Sequence, residues 1–509
     1  MQLEVEKNNL SINQLVIHKI ENVTISGDAI VPDSKPDVMN IVTSNGSSCN
    51  IYKKELNDGK IRVDGAIPVY IIYNSSVDNN KVTDGLFHSL DFSQVISLEN
   101  VTSEMIENSS IKLNNVNCKI INERKVNIEA EISFDIYIYN NSSEEYVNNI
   151  KNCNLQKRKS NITLCSLFNK GENNVSVNDK IEINSQDDIL QILNVYSEIS
   201  KVETKISYNK VLTNSNLNLK IAYITKDNRI CFAKKSFPIM GFVDMKDVSD
   251  KIFLDSKVEM KNMTVTKDIN QTHIINVSAE MRICIMAYEE KSVSIIQDLY
   301  STNKNLECTK KSVNIINSKS CFTKMYSIDQ NENLNIGNEK IYDMNAKFVL
   351  DKVSRSEGTA EISGNACFIF LHSTNEMKDI ATKRIDVPVK CNVDTKNVIE
   401  SSLINFEYNI SNNNMEVLSD GSVHIKVDFQ FVLNCTNFTS TMLINNAKES
   451  ETPMSNKYNM SIYFTKSDDS MWDIAKKYNS TCESIMKTNE LESEVLQPGI
   501  QLFIPRVVS

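Results

Sequence analysis

The 509-residue sequence contains few glycines (12) and few prolines (8), which excludes collagen-like and Pro/Gly-rich low-complexity proteins. Its apolar runs are short, and none approaches the ~20 residues that a helix needs to cross a bilayer. Residues Met1 to Leu10 lack a basic segment followed by an apolar one, so we expect no secretory signal. The formal net charge of -10 would repel phosphate backbones and argues against nucleic-acid binding. We therefore expect a globular protein that stays in the compartment where it is made.

The sequence also lacks common catalytic motifs: a Gly-x-x-x-x-Gly-Lys phosphate loop, His-Glu-x-x-His and Gly-x-Ser-x-Gly. Its five histidines lie far apart, and the nearest two of its 12 cysteines, Cys153 and Cys165, do not have metal-site or redox-motif spacing. We expect buried or free thiols in a reducing cytosol, and no enzymatic activity, cofactor or metal. An enzyme whose site forms only in the folded chain is an alternative, which a deep His-containing pocket would reveal.

Alternation of apolar and polar residues with period two is the main pattern of the sequence. Successive side chains of a strand point to opposite faces, so such a segment buries one face and exposes the other. Three segments show the pattern clearly: residues 128–138, 275–285 and 423–433. Phe134, Met281 and Phe429 occupy matching positions about 147 residues apart, which indicates a repeat of whole-domain size.

A second family of alternating strands has the same period, because Tyr73 and Tyr223 end two such strands about 150 residues apart. Alternation is typical of antiparallel sheets, whereas parallel strands are apolar throughout. The predicted fold class is therefore mainly β, with three antiparallel, sandwich-like repeats. We place these repeats at residues 12–150, 175–305 and 335–440. Polar stretches at Asn305 to Asn338 and at residues 441–457 are predicted to contain linkers.

A third marker recurs at the same interval. Asp37 to Val42 is similar to Asp188 to Leu193, and the spacing of the apolar residues predicts a short amphipathic helix in both places. Pro36 lies where a helix tolerates proline, and Asp37 suits the helix dipole. A loop is the competing interpretation.

The last fifty residues predict a different module, in the order strand, helix, helix, strand. Met460, Ile462 and Phe464 alternate as a strand, and residues 468–470 offer capping oxygens for a first helix. Thr481 is the expected cap of the second helix. Trp472 is the one tryptophan of the chain; we expect its ring to pack between helix and sheet, whereas an exposed ring would mark an interaction anchor.

At these residues the chain resembles a LysM domain, over Tyr458–Pro505, and we place the domain at residues 458–507. The resemblance rests on residues 469–475, Tyr478, Ile485, Asn489, Pro498-Gly499 and residues 502–505. It implies a βααβ fold that commonly binds N-acetylglucosamine-containing glycans through two loops. The residues matching those loops are Asp469, Ser470, Met471, Asn489, Glu490 and Leu491. Asp468 stands where the family usually has glycine, and a bulkier, charged loop could clash with a sugar, which gives more weight to a protein ligand.

Within the first repeat, Val31 to Val42 contains a Pro-x-x-x-Pro-Asp element at Pro32, Pro36 and Asp37. With it, the chain resembles over nearly its full length the clostridial spore-coat morphogenetic proteins that combine SPOCS repeats with a LysM domain, although the second and third repeats lack the prolines. This resemblance implies a non-catalytic scaffold, made in the mother-cell cytoplasm and recruited to the forespore surface. There it would tether the basal coat ATPase layer, with the LysM domain as the docking module. The alternative is a peptidoglycan-binding protein that attaches to the cortex or cell wall.

Overall fold

The computed structural model describes residues 3–77, 80–200, 202–249, 251–336, 339–356, 358–374, 379–396, 398–452 and 459–506. Most of these residues lie in antiparallel strands, which confirms the predicted mainly β fold class.

The first unit consists of two antiparallel sheets between residues 4 and 151. Its strands are β1 (Glu4–Ile30), β2 (Asn40–Gly46), β3 (Asn50–Asn57), β4 (Lys60–Val77), β5 (Asn80–Ser97), β6 (Ile106–Glu107), β7 (Ser110–Asn122) and β8 (Lys125–Lys151). In one sheet β8 pairs with β1, β6 and β7, and in the other β4 pairs with β2, β3 and β5. Their facing sides enclose one apolar core, so the unit is a sandwich.

The second and third units repeat this topology. The second comprises β9 (Leu155–Glu182), β10 (Ile189–Ile199), β11 (Glu203–Ser207), β12 (Lys210–Thr225), β13 (Ile230–Asp244), β14 (Ile252–Lys267) and β15 (Ile274–Ser301). The third comprises β16 (Leu306–Glu332), β17 (Ile341–Ser356), β18 (Thr359–Thr374), β19 (Asp379–Asp394), β20 (Leu403–Val417) and β21 (Val423–Glu449). In each unit the last long strand lies between the first and the second-to-last strand. The repeats placed at residues 12–150, 175–305 and 335–440 overlap these units, which begin earlier in the sequence.

Burial follows the predicted alternation. Every second residue of β8 from Val126 to Ile138 is at most 1% exposed, including Phe134, and β21 shows the same pattern from Val423 to Leu433. Tyr137 and Tyr139 of β8 are buried as well, although they lie on the opposite face from Phe134. Their face is covered by residues of the other two units. The alternation of buried and exposed residues therefore ends where the units meet.

The long strands extend beyond the sandwiches as three two-stranded ribbons, here called the stalk. The ribbons pair residues 4–17 with 138–151, residues 155–169 with 287–301, and residues 306–319 with 436–449. Corresponding residues of the three ribbons meet in one apolar cluster: Leu10, Ile162 and Val313; Ile12, Leu164 and Ile315; Tyr146, Ile295 and Leu443. Because matching residues meet, the three units are arranged with approximate three-fold symmetry.

Two helix predictions were wrong. Asp37 to Val42 is loop followed by the start of β2, and the segment after Asp188 forms β10. A register shift, typical of a β-bulge, lies between Ile41 and Thr43, and two more lie in β10. A bulge inserts one extra residue into a strand, so it turns a spacing of two into the spacing of three expected of a helix.

The two stretches predicted to contain linkers are strand over much of their length. Residues 306–332 form β16, and the segment expected to begin a linker at residue 441 continues β21 as far as Glu449. These stretches are polar because each stalk ribbon buries only part of its surface. Residues 453–458, including Pro453 and Tyr458, lie outside the described residues.

The C-terminal module has the predicted βααβ order. It consists of β22 (Met460–Phe464), α1 (Met471–Lys477), α2 (Cys482–Thr488) and β23 (Gln501–Pro505), and the two strands pair antiparallel.

Candidate docking surface on the C-terminal module

Side-chain hydrogen bonds cap the N-termini of the two short helices of the C-terminal module. Ser470 Oγ accepts a hydrogen bond from Asp473 N at 3.1 Å, and Thr481 Oγ1 accepts one from Ser484 N at 3.0 Å. Each cap satisfies one of the amides that the first turn of a helix leaves free. The helices then bury Ile474 and Ile485 against the sheet. Local sequence therefore determines the shape of this module.

The module is fastened to the stalk through Asp298 of β15. Trp472 Nε1 donates to Asp298 Oδ2 at 2.9 Å, and Lys476 Nζ lies 2.8 and 2.7 Å from the two carboxylate oxygens. Lys310 Nζ lies 3.5 Å from the same group. We call the contacts of Asp298 with Trp472 and Lys476 the latch. Burial by itself would raise the pKa of Asp298, but the hydrogen bonds and the nearby lysines outweigh it and hold this pKa below its usual value.

Tyr300, two residues along β15, forms part of the core of the C-terminal module. Its hydroxyl donates to Ser480 O at 2.9 Å, and its ring meets Trp472 edge to face with centroids 5.0 Å apart. The half-buried Trp472 ring thus packs between the module and the stalk, and its contacts join these two parts of the same chain. These contacts fix the orientation of the module relative to the second unit.

Most of the six loop residues expected to bind a ligand hold the module together. Met471 is 2% exposed and lies in the core, and Asp469 Oδ2 accepts from Lys466 N at 2.7 Å. Asn489 donates to Phe503 O and accepts from Phe503 N, both at 2.7 Å, and so joins the end of α2 to β23. Ser470 caps α1.

The other two loop residues differ in exposure. Leu491 is half-buried against the core, whereas Glu490 is exposed at a left-handed φ of 55°. Of the six, Glu490 is the one whose side chain is exposed.

The sequence did not predict the largest apolar feature of the module. Met460, Ile462 and Phe464 on β22 are 54%, 55% and 62% exposed, and Phe503 of β23, opposite Ile462, is 40% exposed. We call these four residues the apolar sheet face. The helices cover the other side of the sheet, where Tyr463 meets Tyr478 with ring centroids 5.9 Å apart. The alternation of apolar and polar residues along β22 indicates that the strand has two different faces. The pattern does not show which of the two faces the helices cover.

Neither strand of this small sheet has a further partner in the described part of the chain. The outer edge of β22 therefore presents backbone groups that could pair with another strand, whereas on β23 the backbone N–H and C=O of Phe503 already bond to Asn489. Apolar side chains beside open edges are a common arrangement at protein-binding surfaces.

Other features of the described residues bear on function class. No group of three or more His, Cys, Asp and Glu side chains among them could hold a metal ion. None of the described helices has the length and apolar character of a membrane span.

Comparison with known families agrees with this architecture. The family model "SipL, SPOCS domain" matches residues 37–121 and 188–268, and the model "LysM domain" matches residues 463–505. No curated protein matches the chain. The two SPOCS matches cover corresponding parts of the first and second units, from before β2 to β7 and from before β10 to the end of β14. Both families are non-catalytic binding or scaffold domains. The chain therefore contains SPOCS domains of the SipL type and a C-terminal LysM domain, which links it to sporulation and the spore coat.

Proposed function

We propose that this protein is a non-catalytic scaffold that tethers the basal coat ATPase layer to the forespore surface through protein–protein contacts. In this proposal it is made in the mother-cell cytoplasm and is recruited to the forespore. The SPOCS units form the body of the scaffold, and the LysM domain is its docking module.

The observation that carries the proposal is the apolar sheet face. Four large apolar side chains share one side of a two-stranded sheet, and removing such surface from water stabilises a protein complex by roughly 25 cal/mol per Å² of apolar area. A face of this kind suits another protein better than a hydroxyl-rich sugar, because it offers few hydrogen-bonding side chains. The latch and Tyr300 support the proposal as well, since they hold the module in one orientation on the stalk.

The loops give less support to glycan binding. Asp469 and Asn489 already use their polar atoms on the backbone of the module, and Met471 is buried. Asp468, in place of the usual glycine, adds a charged exposed side chain to the first loop.

The test is co-purification of the coat ATPase from sporulating cells with the full-length chain carrying Ile462→Glu and Phe464→Glu. Both side chains are more than half exposed, so the module should keep its fold, which the emission of Trp472 reports. Val495→Glu is the matched control, because Val495 is an 81% exposed apolar residue of the same module outside the sheet face.

We expect the double variant to lose the ATPase and the control to retain it. Equal recovery with both variants would refute docking through this face, and equal recovery after deletion of residues 458–509 would refute docking through the module altogether. Retention on purified peptidoglycan that Glu490→Arg abolishes would instead establish the glycan-binding alternative.

A further inference from the structure

One face of the second unit carries a group of exposed apolar side chains. The face belongs to the sheet of β10 to β13, on the side away from the core, where Leu212 of β12 lies opposite Phe242 of β13. Leu212 and Phe242 are 37% and 40% exposed, and Met240 of β13 is 73% exposed. Tyr208, in the turn that precedes β12, is exposed as well. Apolar side chains grouped on one surface mark an interaction site more often than scattered ones do.

No charged side chain lies on this face over three consecutive pairs of opposite residues. The six residues are all exposed and comprise, pair by pair, Leu212 with Phe242, Asn214 with Met240, and Asn216 with Pro238. We call these six residues the neutral face. Charged side chains normally keep exposed strands of different molecules apart. The neutral face lacks this protection.

The corresponding faces of the other two units carry charges. β4, β12 and β18 are the central strands of equivalent sheets, and each begins directly after a hairpin turn, so their residues can be matched by position. In the first unit the six matching residues include Arg62, Asp64 and Asp91, and in the third they include Glu361 and Lys390. The absence of charge is therefore specific to the second unit and is not a requirement of the shared fold.

Charges of opposite sign balance one another around the neutral face. Lys234, four residues from Pro238 on β13, adds one positive charge at about 13 Å, which is beyond the ~8 Å Debye length at physiological ionic strength. Other charged neighbours occur in pairs of opposite sign: Glu203 with Lys205, Lys210 with Asp244, Lys246 with Asp247, and Lys220 with Asp343. Charge therefore does not select an acidic or a basic partner.

A neutral centre is what a contact between two identical faces requires. In a contact with two-fold symmetry, a residue near the axis faces the same residue of the other copy, so a charged residue there meets a like charge. Arg62 or Asp64 would create this repulsion in the first unit, whereas Asn214 and Met240 do not. Asparagine adds an attraction, because its amide both donates and accepts hydrogen bonds and can pair with an identical amide. These two properties favour a second copy of this chain as the occupant.

The neutral face is small for a permanent interface. It contributes six residues, whereas a stable interface of standard size involves roughly 20–30 residues on each side. We therefore expect weak association, with a dissociation constant between about 10 μM and 0.3 mM. Gathering many copies on one surface, as the proposed function requires, would raise the local concentration into this range.

We propose that two copies of this chain associate through their neutral faces, with a two-fold axis close to Asn214 and Met240. The apolar side chains of each copy cover those of the other, and the Asn214 and Asn216 amides form hydrogen bonds between the copies. The contact lies on the second unit, so it is separate from docking by the C-terminal module and holds even when that docking fails.

Sedimentation equilibrium of the full-length protein tests the proposal at concentrations up to about 0.3 mM. We expect a monomer–dimer equilibrium in which Met240→Lys with Phe242→Lys raises the dissociation constant at least tenfold. This variant removes two apolar contacts and places positive charges opposite each other. Its net charge is smaller in magnitude than the -10 of the parent, so weaker association cannot come from overall repulsion.

Ser93→Lys with Val95→Lys is the matched control, because these residues occupy the positions of Met240 and Phe242 in the first unit. The control makes the same change in charge on an equivalent strand, and should alter the dissociation constant less than about twofold. All four side chains are exposed, and equal thermal unfolding midpoints would show that the fold is intact in both variants.

A mixture of oppositely charged variants identifies the occupant. Met240→Glu with Phe242→Glu should be monomeric by itself, as the Lys variant should be. An equal mixture of the Lys and Glu variants should form dimers, because opposite charges then face each other across the axis. Binding of a different protein to the neutral face does not predict this recovery.

Four results would overturn the proposal. These are a parent protein that stays monomeric at about 0.3 mM, equal association of the Lys variant and the control, equal loss of association in both, and a mixture of Lys and Glu variants that stays monomeric. The first result would leave the neutral face to a different protein, and the second would place the contact between copies elsewhere.

Discussion

Replacement of Asp298 by alanine should release the LysM domain from the stalk. The substitution removes the acceptor of the Trp472 indole and the partner of Lys476. The hydrogen bond from the Trp472 indole contributes about 1 kcal/mol, and the partly exposed ion pair with Lys476 contributes up to about 1 kcal/mol. The docked state should therefore lose about 2 kcal/mol, which lowers the docking equilibrium constant about 30-fold.

The single tryptophan makes this loss measurable. Because Trp472 of α1 is half-buried and packs edge to face against Tyr300, release should shift its emission to the red and increase quenching by acrylamide. Asp298→Asn keeps an acceptor for the indole and loses only the charge, so about half of the effect should remain. Glu289→Ala is the matched control, since Glu289 lies on the same strand and pairs with Lys291 at 2.7 Å. Unchanged emission and quenching in Asp298→Ala would refute the latch.

The same measurement has a defined dependence on pH. The pKa of Asp298 in the folded protein lies below the ordinary value of 3.8. A carboxyl with a lowered pKa contributes its full stabilisation above its unfolded pKa and loses it as the pH falls through the folded one. Quenching should therefore stay constant between pH 7 and 5 and rise below about pH 3.8. The rise should be absent in Asp298→Asn.

Two further substitutions test packing within the three sandwich units. Glu259→Gln, at the interface of the first and second units, removes the anion that lies 2.9 Å from Lys54 Nζ and 3.3 Å from the Arg282 guanidinium. Urea denaturation should show that the free energy of unfolding falls by about 3 kcal/mol, because two buried cations lose their partner. An unchanged urea midpoint would contradict this expectation. Gly364→Ala would place a Cβ 2.3 Å from Val349 O, a backbone atom that cannot move without disturbing the sheet, so we expect a loss of about 1–3 kcal/mol. A thermal unfolding midpoint equal to that of the parent would refute the second expectation.

Local patterns predicted the strands, the period of the repeat and the two capped helices, because burial of one strand face and capping of helix ends depend on residues close in sequence. The bulge near Ile41 was missed for a related reason. An extra residue in a strand changes the apolar spacing, and the spacing alone does not distinguish this from a helical turn.

The latch could not be predicted in this way. Asp298 and Trp472 are 174 residues apart, and nothing near either residue indicates the other. The apolar sheet face was missed because alternation shows that β22 has two different sides without showing which one the helices cover.

The pairing of the first strand of each unit with its last one affects how the chain can fold during synthesis. Glu4 pairs with Lys151, so the first sandwich cannot close until about 150 residues have left the ribosome, and each later unit has the same requirement. At 5–20 residues per second, this leaves β1 without its partner for roughly 7–30 s. During that interval the exposed edge of β1 is open to pairing with strands of other nascent chains, and we expect aggregation to decrease at lower expression levels, where fewer nascent chains expose β1 at the same time.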